Sequence, residues 1–209
     1  MFKDRTDAGK QLARRLAPYR GQEAIVLALP RGGVVVGYEV AKALELPFDI
    51  VVVRKVGYPG DPELALCAVD EKGMLLCDKE ASAVDQEWLK KEIELQRQEA
   101  MRRIEAYRGK RKPVRVADKI VIVVDDGIAT GLTMRLAVRS LAAQHPKKII
   151  VAVPVASGFL RAFTSEGADE VIVLEPPEEF VGAVGAHYKS FEQVEDREVI
   201  SLLQRNYNE

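Results

Sequence analysis

Five short apolar runs separated by amphipathic segments predict an α/β fold, a parallel sheet flanked by helices. A run that is apolar at nearly every position is typical of a strand buried on both faces, as the strands of parallel sheets are. The segments between the runs favour helices, so right-handed crossovers are expected. The runs span residues 23–29, 47–53, 121–124, 148–155 and 170–174, and the main helices are expected at 4–19, 34–44, 85–107 and up to 141, with a last one ending near 205.

The pattern changes between residues 57 and 78, where glycines and prolines precede two short apolar runs. Runs at 63–69 and 74–77 with a turn at 70–73 predict a β-hairpin outside the parallel sheet. A long insertion over the carboxyl edge of a sheet is often a lid. Two interpretations remain open, a mobile flap and a static edge hairpin or oligomer contact.

Composition narrows the functional classes. The 209 residues are 47% hydrophobic, which suffices for one full core, and 31 basic residues balance 32 acidic ones. Neither nucleic acid nor a membrane is an expected partner, because the charge is balanced and no apolar run reaches spanning length. No signal peptide is evident, and Cys67 and Cys77 are interpreted as free thiols rather than a redox pair joined by the hairpin. We therefore expect a cytoplasmic protein.

The central run ends in two acids and turns through glycines into a helix. Asp125 and Asp126 lie where open α/β sheets bind ligands, at the carboxyl end of a strand. The following segment, Thr130-Gly131-Leu132-Thr133, offers unpaired amides at a helix N-terminus, which is an anion site. Carboxylates beside a phosphate cradle predict a site for a phosphorylated sugar.

A second anion loop is expected after the first strand. Arg31-Gly32-Gly33 combines a guanidinium with two residues whose amides can approach an anion closely. Arg54 and Lys55 are expected to end the second strand beside it, where they are either further anion ligands or solvated charges.

The run Val-Ile-Val-Val-Asp-Asp followed by Thr-Gly-Leu-Thr resembles the phosphoribosyl-pyrophosphate (PRPP) loop of the type I phosphoribosyltransferases. The resemblance covers about residues 23–205 and implies one domain, 1–209, with a flap at about 56–84 and a C-terminal hood at about 176–195. It also implies a cis peptide bond between Pro30 and Arg31, because the basic residue of the pyrophosphate loop often follows one.

The resemblance assigns roles to residues of both loops. The implied catalytic residues are Asp125, Asp126, Arg31 and Lys55, and the acids would contact Mg²⁺ indirectly, through PRPP or water. The implied ligands of PRPP are Asp125, Asp126, Gly127, Ala129, Thr130, Gly131, Leu132 and Thr133, and those of pyrophosphate are Arg31, Gly32, Gly33, Arg54 and Lys55.

The hood departs from the hypoxanthine-guanine type it resembles. Phe180 and Val181 match the residues that stack on the base and read its edge, although simple packing explains Phe180 equally well. His187 stands where that type has a metal-binding acid, and Ala129 where it has a proton-transferring Asp. That type also carries a Lys after the penultimate strand that reads the 6-oxo group, and Pro154-Val155-Ala156 offers none. Use of 6-oxopurines is therefore not expected.

The predicted function is Mg²⁺-dependent transfer of a 5-phosphoribosyl group from PRPP to a nitrogenous acceptor with release of pyrophosphate. A nucleobase is the favoured acceptor. A homodimer is the expected assembly. The alternative is a PRPP-sensing or nucleic-acid-binding regulator on the same fold. The basic residues 108–112 are a weak argument for nucleic acid. A sugar-phosphate hydrolase is disfavoured because no activated nucleophile is evident.

Overall fold

The computed structural model describes residues 1–158 and 160–208, without the side chains of residues 62, 63 and 206–208. Five parallel strands form one sheet in the order β2-β1-β6-β7-β8, and three antiparallel strands, β3-β4-β5, form a second. The strands are β1 (Ala24–Ala28), β2 (Phe48–Ile50), β3 (Val53–Tyr58), β4 (Asp61–Asp70), β5 (Leu75–Cys77), β6 (Ile120–Val124), β7 (Lys148–Val153) and β8 (Glu170–Val173). This arrangement confirms the predicted α/β fold.

Helices cover both faces of the parallel sheet. Asp4 caps the N-terminus of the first predicted helix and Asp85 that of the third, which are the two longest of the predicted helices. Each carboxylate accepts a hydrogen bond from an amide in the first turn of its helix. The helices are α1 (Arg5–Arg15), α2 (Gly32–Leu44), α3 (Gln86–Arg108), α4 (Leu132–Ala142), α5 (Leu160–Ser165) and α6 (Asp196–Asn208).

The two central strands carry the two predicted loops. β1 pairs with β6 in parallel, and Ala28 lies opposite Val124, so both strands end at the same edge. Every residue of the two strands is buried, since helices α2 and α6 cover one face and α4 the other. The sheet thereby holds the loops after residues 28 and 124 side by side.

The prediction that Arg54 and Lys55 end the second parallel strand is wrong. That strand ends at Ile50, and both basic residues lie within β3, which pairs with β4 in the antiparallel sheet. In β3 only Val53 and Val56 are buried and the other residues are at least partly exposed, as an antiparallel sheet with one solvated face allows, whereas all three residues of β2 are buried.

The base of the flap is firmly packed. Val56, Leu66 and Val69 form an apolar cluster with Leu89 of α3. The buried carboxylate of Asp70 caps the hairpin turn through two amides and accepts from the Ser140 hydroxyl of α4 at 2.9 Å. Towards the tip, Tyr58 and Leu64 are exposed. The predicted hairpin is thus present, and its base is held against α3 and α4.

The prediction of free thiols is wrong, because Cys67 and Cys77 form a disulfide. The two residues lie directly opposite each other on β4 and β5, with Cα atoms 4.0 Å apart. The hairpin itself creates this proximity, as the alternative interpretation required. Cys67 is fully buried, whereas Cys77 is exposed.

The basic segment at 108–112 has structural partners. Arg108 donates to the buried carboxylate of Asp49 at 3.2 Å and to the Ile50 carbonyl at 3.1 Å. Arg111 donates to the carbonyl oxygens of Tyr107 and Leu203. These contacts join α3 to the sheet edge and to α6, so the segment offers little support for nucleic-acid binding. In the described part of the chain, none of the helices has the length and apolar character that crossing a bilayer requires.

Candidate active site

The glycines of the first loop lie directly against the acids of the second. A Cβ atom at Gly32 would come within 1.9 Å of Asp126 Oδ2, and one at Gly33 within 2.8 Å of the Asp125 Cα atom. A side chain at either position would separate the loops, so glycine is required there. The peptide bond between Pro30 and Arg31 is cis, as predicted.

The two acids differ in their surroundings. The Asp125 carboxylate accepts from the Asp126 amide at 2.8 Å and lies in a partly buried position. Burial and the neighbouring Asp126 carboxylate raise the pKa of Asp125 well above its usual range. Asp126 instead accepts from Arg5 Nε at 2.6 Å, and its carbonyl accepts from the Tyr188 hydroxyl at 2.6 Å. One guanidinium therefore faces a pair of adjacent carboxylates.

The second loop ends in the predicted helix N-terminus. Gly131 has a φ of 79°, a left-handed conformation that favours glycine, and α4 begins at the next residue. Upstream, the Ile128 amide donates to the Val155 carbonyl at 3.0 Å, and the Ser157 hydroxyl donates to the Ala129 carbonyl. The loop is thus fixed to the segment after β7, and its amides at 131–133 remain at the start of a helix, where an anion is favoured.

Basic side chains gather beyond the first loop. Arg31 lies 3.6 Å from the Asp196 carboxylate at the start of α6. Arg54 donates twice to Gln96 of α3, at 2.9 and 3.0 Å, and lines a groove with Lys55. Burial is the larger cause of a lowered pKa for Arg54, and the positive charges of Arg103 and Arg31 add to it. The positive charge of Arg31 thus acts on Arg54.

The hood closes over the second loop. Phe180 stacks on His187 with ring centroids 5.3 Å apart, and His187 Nε2 accepts from the Val181 amide at 3.0 Å. His187 Nδ1 lies 2.5 Å from Glu175, so the buried imidazole joins three parts of the hood. Val184 packs so closely on Gly127 that a Cβ there would lie 2.4 Å from it. His187 is therefore a structural residue of the hood in this conformation.

A separate cavity lies between the flap and the second loop. It has a volume of about 370 Å³ and is bordered by Leu64 and Leu66 of the flap and by Ala129 and Thr130 of the loop. Its polar wall includes Asp78 and Arg135, which lie 3.3 Å apart. The cavity offers space beside Ala129 that the hood does not fill.

The acids fit a hard cation that brings most of its own ligands. Within residues 1–158 and 160–208, no cluster of three or more His, Cys, Asp or Glu side chains could hold a metal. Asp125 and Asp126 supply carboxylate oxygens, the ligand type that Mg²⁺ prefers while it keeps waters and substrate oxygens. The pair thus suits indirect contact with an ion carried by a phosphorylated substrate.

Comparisons with known proteins identify the family of the chain. The family model of the phosphoribosyl transferase domain matches residues 3–190. The chain belongs to this family. A Mycobacterium tuberculosis (strain H37Rv) protein that carries the provisional name of a phosphoribosyl transferase is 42% identical over 217 residues, which cover 100% of this chain and 48% of that protein. The chain thus spans about half the length of the curated relatives it matches.

A solved structure supports the same conclusion for the fold. The crystal structure of the protein TT1426 from Thermus thermophilus is 43% identical, covers 98% of both chains and superposes with a TM-score of 0.79. The family is the one that the sequence predicted, that of the phosphoribosyltransferases.

Sequence reasoning missed two charged residues that the fold brings to the phosphoribosyltransferase loops. Arg5 is the first residue of α1, where its positive charge is unfavourable beside the positive end of the helix dipole. This unfavourable position is the sequence signal that could have identified Arg5. Asp196 lies in the first turn of α6, where an acid is favourable because of the helix dipole. Its position in the sequence therefore gives no sign of a role in the site.

Proposed function

We propose that the chain transfers a 5-phosphoribosyl group from PRPP to a nitrogenous acceptor and releases pyrophosphate. The observation that carries the proposal is the contact of Gly32 and Gly33 with Asp126 and Asp125. A ligand bound to both loops must bear an anionic group on each side of a hydroxylated centre. PRPP has this arrangement, with a 5-phosphate, ribose hydroxyls and a pyrophosphate.

Each loop then has a defined task. The amides of Thr130 to Thr133 hold the 5-phosphate, and Asp125 and Asp126 accept hydrogen bonds from the ribose hydroxyls. The amides of Gly32 and Gly33 hold the pyrophosphate, with Arg31, Arg54 and Lys55 supplying positive charge. Since the transition state resembles an oxocarbenium ion with a departing anion, the enzyme contributes mainly positioning and charge.

Mg²⁺ is the proposed cofactor, and when bound it would neutralise charge on the pyrophosphate oxygens. Asp125 and Asp126 would meet the ion through water or the substrate. The two carboxylates supply oxygen ligands, but too few to surround the ion. They therefore suit an ion that is also bound by the substrate better than one held by the protein alone.

A nucleobase is the proposed class of acceptor, and two places could receive it. Phe180 and Val181 could bind it only after a rearrangement of the hood, because His187 stacks on the first and engages the amide of the second. The cavity of about 370 Å³ beside Ala129 needs no such change. Its apolar wall and flanking charges favour a flat heterocycle with a few polar edges.

The rival function is a PRPP sensor that lacks transfer activity. Ala129, which cannot exchange a proton, and the closed hood favour it. A homodimer remains a prediction, as does a cytoplasmic location. The disulfide removes the free-thiol argument for that location, because disulfides persist mainly in oxidising compartments.

Thermal unfolding with PRPP and Mg²⁺ tests the sugar-phosphate site. The ligand pair should raise the Tm by mass action, and the double variant Asp125→Asn/Asp126→Asn should lose this rise. The exposed neighbours Glu178 and Glu179 provide a matched control, since Glu178→Gln/Glu179→Gln also removes two adjacent acids. An equal rise in Tm for the Asp125/Asp126 variant would show that the two acids do not belong to the binding site. Pyrophosphate release with a panel of nucleobases then distinguishes a transferase from a sensor.

A further inference from the structure

Arg5 joins three distant parts of the chain at the edge of the candidate site. Its Nε donates to Asp126 Oδ2 at 2.6 Å, and its Nη1 donates to the Glu192 carbonyl at 2.7 Å. The guanidinium lies 3.8 Å from the centroid of the Phe191 ring. The side chains of Arg5 and Asp126 are 11% and 15% exposed, so their ion pair is largely shielded from water.

This guanidinium also lies at the junction of the two loops. A Cβ atom at Gly32 would be 2.9 Å from Arg5 Nε and 1.9 Å from Asp126 Oδ2. Arg5, Asp126 and the backbone of Gly32 therefore pack as one unit. The side chain of Asp126 cannot rotate without disturbing both the ion pair and the first loop.

Electrostatics explain why such a residue is needed. Asp125 and Asp126 place two carboxylates side by side in a partly buried position, where like charges repel more strongly than in water. Arg5 offsets one of the two charges. The Glu192 carbonyl and the Phe191 ring hold the planar guanidinium, so its Nε also fixes the direction of the Asp126 carboxylate, which a flexible ammonium does less well.

We propose that Arg5 is a positioning residue of the PRPP site, which holds Asp126 in the orientation that receives the ribose. The inference deepens the proposed function and rests on it. Arg5 already binds Asp126 Oδ2, which leaves Oδ1 with the greater acceptor capacity for a ribose hydroxyl. The contacts of Arg5 with Phe191 and Glu192 further link the C-terminal part of the hood to the ribose site.

The consequence is selective for the ribose part of the substrate. Without the Arg5 guanidinium, Asp126 is repelled by Asp125 and loses its fixed direction, so ribose binding weakens. Among the pyrophosphate ligands, Gly32 packs against Arg5 but offers only its backbone amide, whereas the charged ligands Arg31 and Arg54 lie against Asp196 and Gln96. Pyrophosphate alone should therefore bind nearly as before.

Calorimetry on the full chain with Arg5→Gln, Arg5→Lys and Arg15→Gln tests this assignment. Arg15 is an exposed arginine of the same helix and controls for the loss of one positive charge. We expect Arg5→Gln to weaken PRPP and ribose 5-phosphate by about 10-fold or more, as is typical when a partner of a ligand-binding side chain is removed. Pyrophosphate should change by less than about twofold, Arg5→Lys should be intermediate for ribose 5-phosphate, and Arg15→Gln should match the unmodified protein.

Each other outcome has a definite meaning. Unchanged PRPP affinity in a folded Arg5→Gln variant would overturn the assignment, and so would equal losses for ribose 5-phosphate and pyrophosphate, which indicate general damage. If Arg5→Gln does not fold, Arg5→Lys decides by the same comparison of the two ligands. Failure of the unmodified protein to bind PRPP would instead contradict the proposed function itself.

Discussion

The Arg31 guanidinium lies 3.6 Å from the Asp196 carboxylate, which joins the first anion loop to the start of α6. Asp196 also accepts from the Tyr107 hydroxyl at 2.6 Å and lies 3.6 Å from Arg102. The Tyr107 hydrogen bond, followed by the charges of Arg102 and Arg31, lowers the pKa of Asp196. The carboxylate thus stays ionised and competes with any anion for Arg31.

Asp196→Asn should therefore strengthen pyrophosphate binding. The variant keeps a polar residue at the start of α6 and removes the competing charge. A partly exposed ion pair contributes up to about 1 kcal/mol, so affinity should rise by up to about fivefold. Calorimetry with pyrophosphate measures the change, and Glu198→Gln, an exposed acid in the same helix turn, is the control. Weaker binding would show that Asp196 orients Arg31 towards the ligand.

Arg31→Ala should weaken pyrophosphate more than ribose 5-phosphate. Only the first ligand reaches the loop of Gly32 and Gly33, and charged hydrogen bonds to an anion contribute about 1.5–3 kcal/mol, or about 10-fold to 100-fold. Competition calorimetry gives both affinities, with the exposed Arg115→Ala as the control for charge. Equal losses for the two ligands would contradict the division of tasks between the loops.

The residues that sequence alone could place are those of contiguous motifs. Asp125 and Asp126 follow a fully buried strand, and Gly32 and Gly33 follow another. Parallel strands bring their carboxyl ends to one edge, so the proximity of these motifs follows from the α/β pattern. Even the cis bond before Arg31 was predicted from the resemblance and is present.

The residues that sequence could not place depend on long-range packing. Arg5 meets Asp126 across 121 positions, and no local periodicity encodes such a pair. Lys55 follows an apolar run whose length suggested one continuous strand, but the chain leaves the parallel sheet after Ile50. The register that sets Cys67 opposite Cys77 likewise depends on how the hairpin folds, which the spacing of the cysteines alone leaves open.

Reduction of the disulfide should destabilise the protein. Cys67 and Cys77 close a loop with a sequence separation of 10 residues, for which restriction of the unfolded chain contributes about 2–3 kcal/mol. Thermal unfolding with and without a dithiol reductant should show a lower Tm in the reduced protein. The variant Cys77→Ala should be insensitive to the reductant. Equal Tm values for the oxidised and reduced unmodified protein would show that the bond contributes no stability.

Asp125→Asn should stabilise the unliganded protein while impairing PRPP binding. The Asn oxygen can still accept from the Asp126 amide, and the repulsion between two carboxylates is removed, which we expect to contribute about 1 kcal/mol. Asp126→Asn should have the opposite effect, because it leaves the shielded Arg5 without its charged partner. Denaturant unfolding of both variants without ligand measures the two changes. Equal effects of the two substitutions would contradict the difference in their surroundings.

Ala129 restricts the acceptors that the site should use. A methyl group cannot exchange a proton with a base nitrogen. In addition, the segment at 154–156, which follows the strand ending at Val153, contains no Lys. Selectivity for an oxygen-bearing base comes from pairing it with a buried polar group. Hypoxanthine and guanine should therefore be poor substrates, and adenine, a pyrimidine or a non-nucleobase amine should react better.

The structure adds a second reason for this expectation. Val184 packs on Gly127, and the Val181 amide is engaged by His187, so the hood offers a 6-oxopurine little room and no free amide at Val181. The measurement is kcat/KM for hypoxanthine, guanine and adenine on the unmodified protein. Ala129→Asp would bring a carboxylate near the base. The same carboxylate would repel Asp125 and Asp126 and so weaken PRPP binding. The variant therefore distinguishes a gain in base recognition from a loss of sugar binding. Efficient turnover of hypoxanthine by the unmodified protein would show that the hood opens and that another group, foremost His187 once released from Val181, handles the proton.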